Sequence, residues 1–87
     1  MNQQQQYSSE EISSWLVHEV ARQTKSEPIA ISASQPFEAL GLDSMKIVTL
    51  VGALEKWIDI ELDATLMWEY PSIEQVSKCL AEMKSVH

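Results

Sequence analysis

Three stretches of the chain repeat apolar residues at helical spacing, and each follows a capping residue. In the first, Ser8 reads as an N-cap and Glu11, three residues on, completes a capping box. Ile12, Trp15, Leu16 and Val20 then share one face, which predicts a first helix over Ser9–Thr24. In the second, Ile47, Val51, Leu54 and Ile58 form a stripe that Val48, Leu50 and Trp57 widen, predicting a helix over Ser44–Ile58. Gly52 sits in its middle at a cost of roughly 1 kcal/mol relative to Ala. Close approach of another backbone is the expected compensation. In the third, Ser72 and Gln75 repeat the capping-box spacing, and Ile73, Val76, Leu80 and Met83 supply the core face. Between the second and third, Asp63 is placed to cap a short helix over Ala64–Glu69, which Pro71 ends.

Residues 25–43 hold Pro28, Pro36 and several serines without periodicity, and read as a long loop. Loops of this length are uncommon inside compact domains and are often functional. Ile29, Ile31, Phe37, Leu40 and Leu42 are the residues that would pin it to the core, and Pro36–Leu40 has room for one helical turn. Residues 1–7, with four glutamines, read as a disordered tail, leaving 8–87 as a single domain. No strand-period segment or repeat is present. The expected fold is all-α: a small bundle of three longer helices and one short third helix, with the long loop between helices 1 and 2.

Composition narrows the class. Eighty-seven residues that are 45% hydrophobic support one small core of modest stability. Cys79 is alone, so there is no disulfide framework; a reducing, cytoplasmic setting is expected, with Cys79 packed as a small hydrophobe. No apolar run approaches the ~18 residues that span a bilayer, and the polar N-terminus is no secretory signal. The net charge of −7, from 6 basic and 13 acidic residues, argues against nucleic acid and for partners with basic patches. Glu55, Asp59, Glu61, Asp63, Glu69 and Glu74 face only Lys56 in their stretch. Any one of these acids reads most simply as solvated surface; together they are a candidate docking region. Charge and size favour a monomer. Trp15, Trp57 and Trp68 read as core or core-edge anchors.

The candidate chemistry lies at Gly41-Leu42-Asp43-Ser44-Met45. Gly41 permits a tight turn, and Asp43 is a favoured N-cap that puts Ser44 at the first helical position. The leading N–H groups of a helix have no intrahelical partner and favour an anion, so a phosphodiester on Ser44 would be well placed. Asp43 could also help hold a divalent cation during its transfer. From Asp43 and Ser44 alone, however, the plain reading is a helix cap. His18 and His87 have no metal-ligand or triad context, and nothing places a base beside Ser44. No metal constellation, acid–base pair or Gly-rich phosphate loop argues for an enzyme.

The wider run from Phe37 to Leu50, continued by Leu54-Glu55, closely resembles the attachment region of acyl carrier proteins. Trp68-Glu69-Tyr70-Pro71-Ser72-Ile73 resembles the segment before the last helix in carrier domains of polyketide synthases. The resemblance runs from about Phe37 to Leu80 in order and spacing. It implies a four-helix carrier without catalytic activity, with 4′-phosphopantetheine attached to Ser44 by a separate transferase that uses coenzyme A and magnesium. The thiol of that arm would hold acyl groups as thioesters, supplied by an acyl-activating enzyme or acyltransferase and used by polyketide-synthase-type enzymes. Gly41 would form the turn and Asp43 the cap or metal support. Leu42, Met45, Lys46, Thr49, Glu55, Asp59, Glu61, Asp63 and Glu69 would meet partners. Met45, Val48 and Leu66 would line a candidate acyl groove.

Three positions refine this expectation. Peptidyl carrier domains usually have His where Asp43 stands, which favours an acyl load. Met45 replaces the usual Leu with conserved volume, a change that bears on transferase choice. Thr49 stands where Glu is common and Lys46 adds a cation, so the recognition helix is less acidic than in carriers of primary fatty-acid synthesis and a polyketide or secondary-lipid partner set is expected. The initiating Met1 and an end soon after the last helix suggest a discrete protein. The alternatives are a peptidyl or aminoacyl carrier and a carrier-like interaction module that is never modified.

Overall fold

A computed structural model describes residues 7–85, with side chains described as far as residue 82. The chain forms α1 (Ser9–Thr24), α2 (Ser44–Ile58), α3 (Leu66–Glu69) and α4 (Ile73–Ser85). This is the expected all-helical bundle, with no strand among the described residues, and the limits of α1 and α2 are those predicted.

Capping explains those limits. The Ser8 hydroxyl accepts from Glu11 N at 3.1 Å, and Glu11 Oε1 accepts from Ser8 N at 2.9 Å, so two orphan donors are satisfied reciprocally. At the other end Lys25 turns left-handed at φ 58°, and Ser26 N donates to Ala21 O at 2.8 Å. α2 begins at Asp43, whose Oδ1 accepts from Lys46 N at 2.9 Å, and ends at left-handed Asp59. At α4 the Ser72 hydroxyl accepts from Gln75 N at 3.2 Å and donates to Gln75 Oε1 at 3.1 Å.

The core gathers Ile12, Leu16 and Val20 from α1, Ile47, Leu50, Val51, Leu54 and Ile58 from α2, Met67 from α3, and Ile73, Val76 and Leu80 from α4. Phe37 and Leu42 complete it from the long loop. The expected core side chain of Met83 lies outside the described residues. Tyr7, placed by sequence in the tail, packs against Trp57 with ring centroids 4.1 Å apart, and Trp57 in turn stacks on Trp15 at 4.9 Å. Residues 1–6 of that tail lie outside the described residues.

Backbone hydrogen bonds tie the long loop to the start of α4. Phe37 N donates to Pro71 O at 2.8 Å and Glu74 N donates to Ala33 O at 2.9 Å. Pro28–Ala30 adds one 3-10 turn that the sequence pattern did not signal. The Pro36–Leu40 segment forms successive hydrogen-bonded turns in place of a helical turn proper. Ile29 does not pin the loop; it is 93% exposed.

Three further expectations are corrected. α3 starts at Leu66, two residues late, because Asp63 Oδ1 accepts from Thr65 N at 3.0 Å and Leu66 N, Met67 N and Trp68 N all donate three residues back. That same hydrogen bond holds the Asp63 carboxyl below its ordinary range, so its contribution is complete above the usual carboxylate pKa and fades as pH falls through the lowered value. Val48 does not widen the α2 core stripe, being 58% exposed. Nothing approaches Gly52: a Cβ there would meet no atom within 4 Å. Gly52→Ala is therefore expected to stabilise the protein by about 1 kcal/mol through helix propensity. At this chain length that is a rise of roughly 4–8 °C in Tm by thermal circular dichroism.

Candidate functional site

The corner that leads into α2 is built by four consecutive residues with different tasks. Gly41 takes φ +93°, a backbone conformation that L side chains rarely adopt. Space is not the constraint there, since an added Cβ would meet Thr24 Cγ2 at an ordinary 3.9 Å. Leu42 follows and is only 4% exposed, so it anchors the corner in the core. Asp43 caps the helix through Lys46 N. Ser44 then begins α2 on the exposed side.

This local fold leaves the Ser44 hydroxyl at a helix start, where partial positive charge and free N–H groups favour an anion. Asp43 uses Oδ1 for the cap, and its Oδ2 has no partner among the described residues. His18 is exposed on α1, with its Nδ1 bonded to Ser14 O at 2.8 Å. His87 lies outside the described residues. Among the described residues no group of three or more His, Cys, Asp or Glu side chains could hold a metal.

Of the residues expected at a partner surface, Met45 (77% exposed), Lys46 and Thr49 lie open on α2, and Asp59, Glu61, Asp63 and Glu69 are exposed beyond it. Two are placed otherwise. Leu42 is buried in the core. Glu55 is half-buried, and its Oε2 accepts from Leu62 N at 2.6 Å, so its carboxylate fastens the segment after α2.

Of the expected groove residues, Met45 and Val48 face solvent and Leu66 is half-buried. The apolar cavity near this corner, about 160 Å³, is instead lined by Phe37, Ile47, Met67 and Trp68, with Pro36, Glu38 and Pro71. Nothing in the sequence pairs these residues, because they come from the loop, α2 and α3 and meet only through the fold. Trp68, placed by sequence at the core or its edge, is 56% exposed at this cavity. Cys79 is half-buried, and its thiol beside Tyr70 raises the Tyr70 phenol above its ordinary pKa.

A helical bundle that sets a serine on an exposed, capped helix start suits a carrier, and comparison with known proteins shows that class. The chain belongs to the family described as "Phosphopantetheine attachment site", whose model matches residues 14–80. Its cofactor is therefore covalently attached 4′-phosphopantetheine, put in place by a transferase. The structure superposes on a free-standing peptidyl carrier protein from an uncharacterized secondary metabolic pathway of Acinetobacter baumannii, with TM-score 0.85, 31% identity and coverage of 90% of this chain and 98% of the other. It also superposes on an acyl carrier protein from Anabaena sp. PCC 7120 with a variant phosphopantetheinylation-site sequence, with TM-score 0.83, 38% identity and coverage of 95% and 94%. In sequence, a non-reducing polyketide synthase of Talaromyces stipitatus is 28% identical over 74 residues, which are 85% of this chain and 3% of that protein. The chain thus spans a small fraction of the length of the curated relatives it matches.

The demand at Gly41 is conformational, so it can be tested apart from function. Gly41→Ala is expected to lower stability by about 1–2 kcal/mol, seen as a lower urea midpoint with an unchanged slope.

Proposed function

We propose that Ser44 bears the 4′-phosphopantetheine and that the chain carries acyl intermediates as thioesters in polyketide or related secondary-lipid biosynthesis. The observation that carries this reading is the placement of Ser44 at an exposed, capped helix start inside a matched phosphopantetheine family. The residues fit such a group. The start of α2 favours the phosphodiester, and the free Asp43 oxygen suits the magnesium that the transferase brings. When bound, the arm supplies the thiol that holds the acyl group. The chain supplies a rigid platform and an open approach. The names of the sequence relatives, polyketide synthases among them, support the pathway class.

The partners in this reading are a phosphopantetheinyl transferase, an acyl-activating enzyme or acyltransferase, and polyketide-synthase-type enzymes. The setting is cytoplasmic; no helix of the described residues is long and apolar enough to cross a membrane. A second reading, a peptidyl carrier, draws on the similarity to the Acinetobacter protein. Asp43 before the serine weighs against it.

Intact mass spectrometry after incubation with coenzyme A, magnesium and a broad-specificity transferase tests the attachment. One phosphopantetheine is expected on the wild type and none on folded Ser44→Ala. Persistence of the addition in Ser44→Ala would refute Ser44 as the attachment residue. Offering the holo protein to acyl-activating and amino-acid-activating enzymes then separates the two loads.

A further inference from the structure

The small apolar cavity shares a flank of α2 with Ser44. At about 100° per residue, Ile47 lies roughly 60° from Ser44 around the helix and about one turn further along it. Glu55 lies roughly 20° from Ser44 on the same wheel, and its bond to Leu62 N brings the segment before α3 onto that flank. Trp57, stacked on Trp15, puts α1 on the other flank. The cavity, about 160 Å³, has Ile47 on one side, Met67 and Trp68 of α3 on another, and Phe37 and Glu38 of the loop on a third.

Its lining selects by polarity and by size. Phe37, Ile47 and Met67 are buried and apolar, and Trp68 forms an exposed wall. Glu38 is the one charged residue of the lining, exposed and without a side-chain partner among the described residues. With Glu38 and Asp43 both exposed before α2, charge keeps a phosphate out of the cavity and leaves it over the free N–H groups of the helix start. A neutral, branched group meets no such opposition. A dry cavity of about 150 Å³ takes up one benzene, so this one has room for a compact group of that bulk. It does not hold a long acyl chain together with the arm that delivers it.

The 4′-phosphopantetheine arm begins with such a group. A quaternary carbon with its pair of methyls stands a few bonds beyond the phosphate, followed by a hydroxyl-bearing carbon and an amide. From Ser44 that head reaches the cavity directly. The thiol and its load, at the far end of the arm, would reach it only if the arm folded back, at the entropic cost of fixing each rotor on the way.

We infer that the cavity is a binding site for the branched head of the arm and not for the acyl load. The methyls pack on Phe37, Ile47 and Met67 beneath Trp68, and the Glu38 carboxylate accepts a hydrogen bond from the neighbouring hydroxyl. The arm is thereby held at its root and free at its thiol end. This rests on Ser44 bearing the arm.

The test uses the full chain, loaded by a broad-specificity transferase from coenzyme A with isotope-labelled arm methyls, and observed by NMR. In the holo protein both methyl resonances are expected to move from their free coenzyme A positions under the ring currents of Phe37 and Trp68. They should show cross-relaxation to Phe37 and Met67 and lose mobility. Acetyl and octanoyl loads should leave these signals unchanged. Trp68→Ala removes an exposed wall and should release the methyls; Met45→Ala, equally open on α2 but outside the cavity lining, should not. Circular dichroism checks that both variants fold. Methyls that keep their free coenzyme A shifts and mobility overturn the inference, as do methyls displaced by the octanoyl chain, or held equally in the two variants. A wild type that gains no arm at all, or gains it on a residue other than Ser44, overturns the attachment reading instead.

Discussion

Phe37 is the fastening on which the rest of the molecule depends. Its side chain is 2% exposed in a core otherwise supplied almost entirely by helices. Its N–H donates to Pro71 O, and its carbonyl accepts from Leu40 N and Leu42 N. One residue therefore joins the long loop, the approach to α4 and the turn that leads into α2. Without that fastening the loop would carry a large ordering cost with little burial to offset it. With it, Gly41 can turn left-handed, Leu42 can enter the core and Ser44 emerges on the outside. The position of the Gly41–Ser44 corner is thus a result of tertiary packing, although its residues are contiguous in sequence.

The division of labour along α2 follows from the same packing. One side of the helix is given wholly to the core, from Ile47 to Ile58. The other is free of structural duty for its first turns, where Met45 and Val48 meet solvent despite being large and apolar. Large hydrophobic side chains left exposed side by side mark a surface suited to burial against another molecule. Several acidic residues have structural tasks: Asp43 caps the start of α2, Asp59 ends it, Asp63 shapes the turn before α3, and Glu55 ties down Leu62. Part of the apparent acidic surface is therefore structural.

Much of the fold was legible because its signals were local. Ser8 with Glu11, and Asp43 before a 3.6-residue stripe, mark helix starts whose side-chain bonds are all made within three residues. The local shape of the candidate corner was legible for a similar reason, since Gly41, with its positive φ, and the Asp43 cap lie within one contiguous run. What the sequence hid was the choice among equally plausible partners. Asp63 bonds Thr65 N and so delays α3. Val48 is apolar and near the stripe, but the core lies to the other side of Ile47. Leu42 sits inside the motif, yet it is consumed by packing. Gly52 suggested a close neighbour where none exists. Tyr7 lay beyond the first cap, and only the fold brings Trp57 to meet it.

The three tryptophans are partitioned in a way that bears on how the protein can be observed. Trp15 and Trp57 are stacked with each other and with Tyr7, half-shielded, on the seam between α1 and α2. Trp68 stands apart, 56% exposed beside the small cavity near the attachment corner. The chain thus carries two optical populations without any label. The stacked pair, rigid and mutually coupled, should dominate near-ultraviolet dichroism and report integrity of the bundle. The solvated indole should emit at longer wavelength and be the more readily quenched. A quencher could therefore interrogate the functional corner while dichroism independently shows that the scaffold is intact.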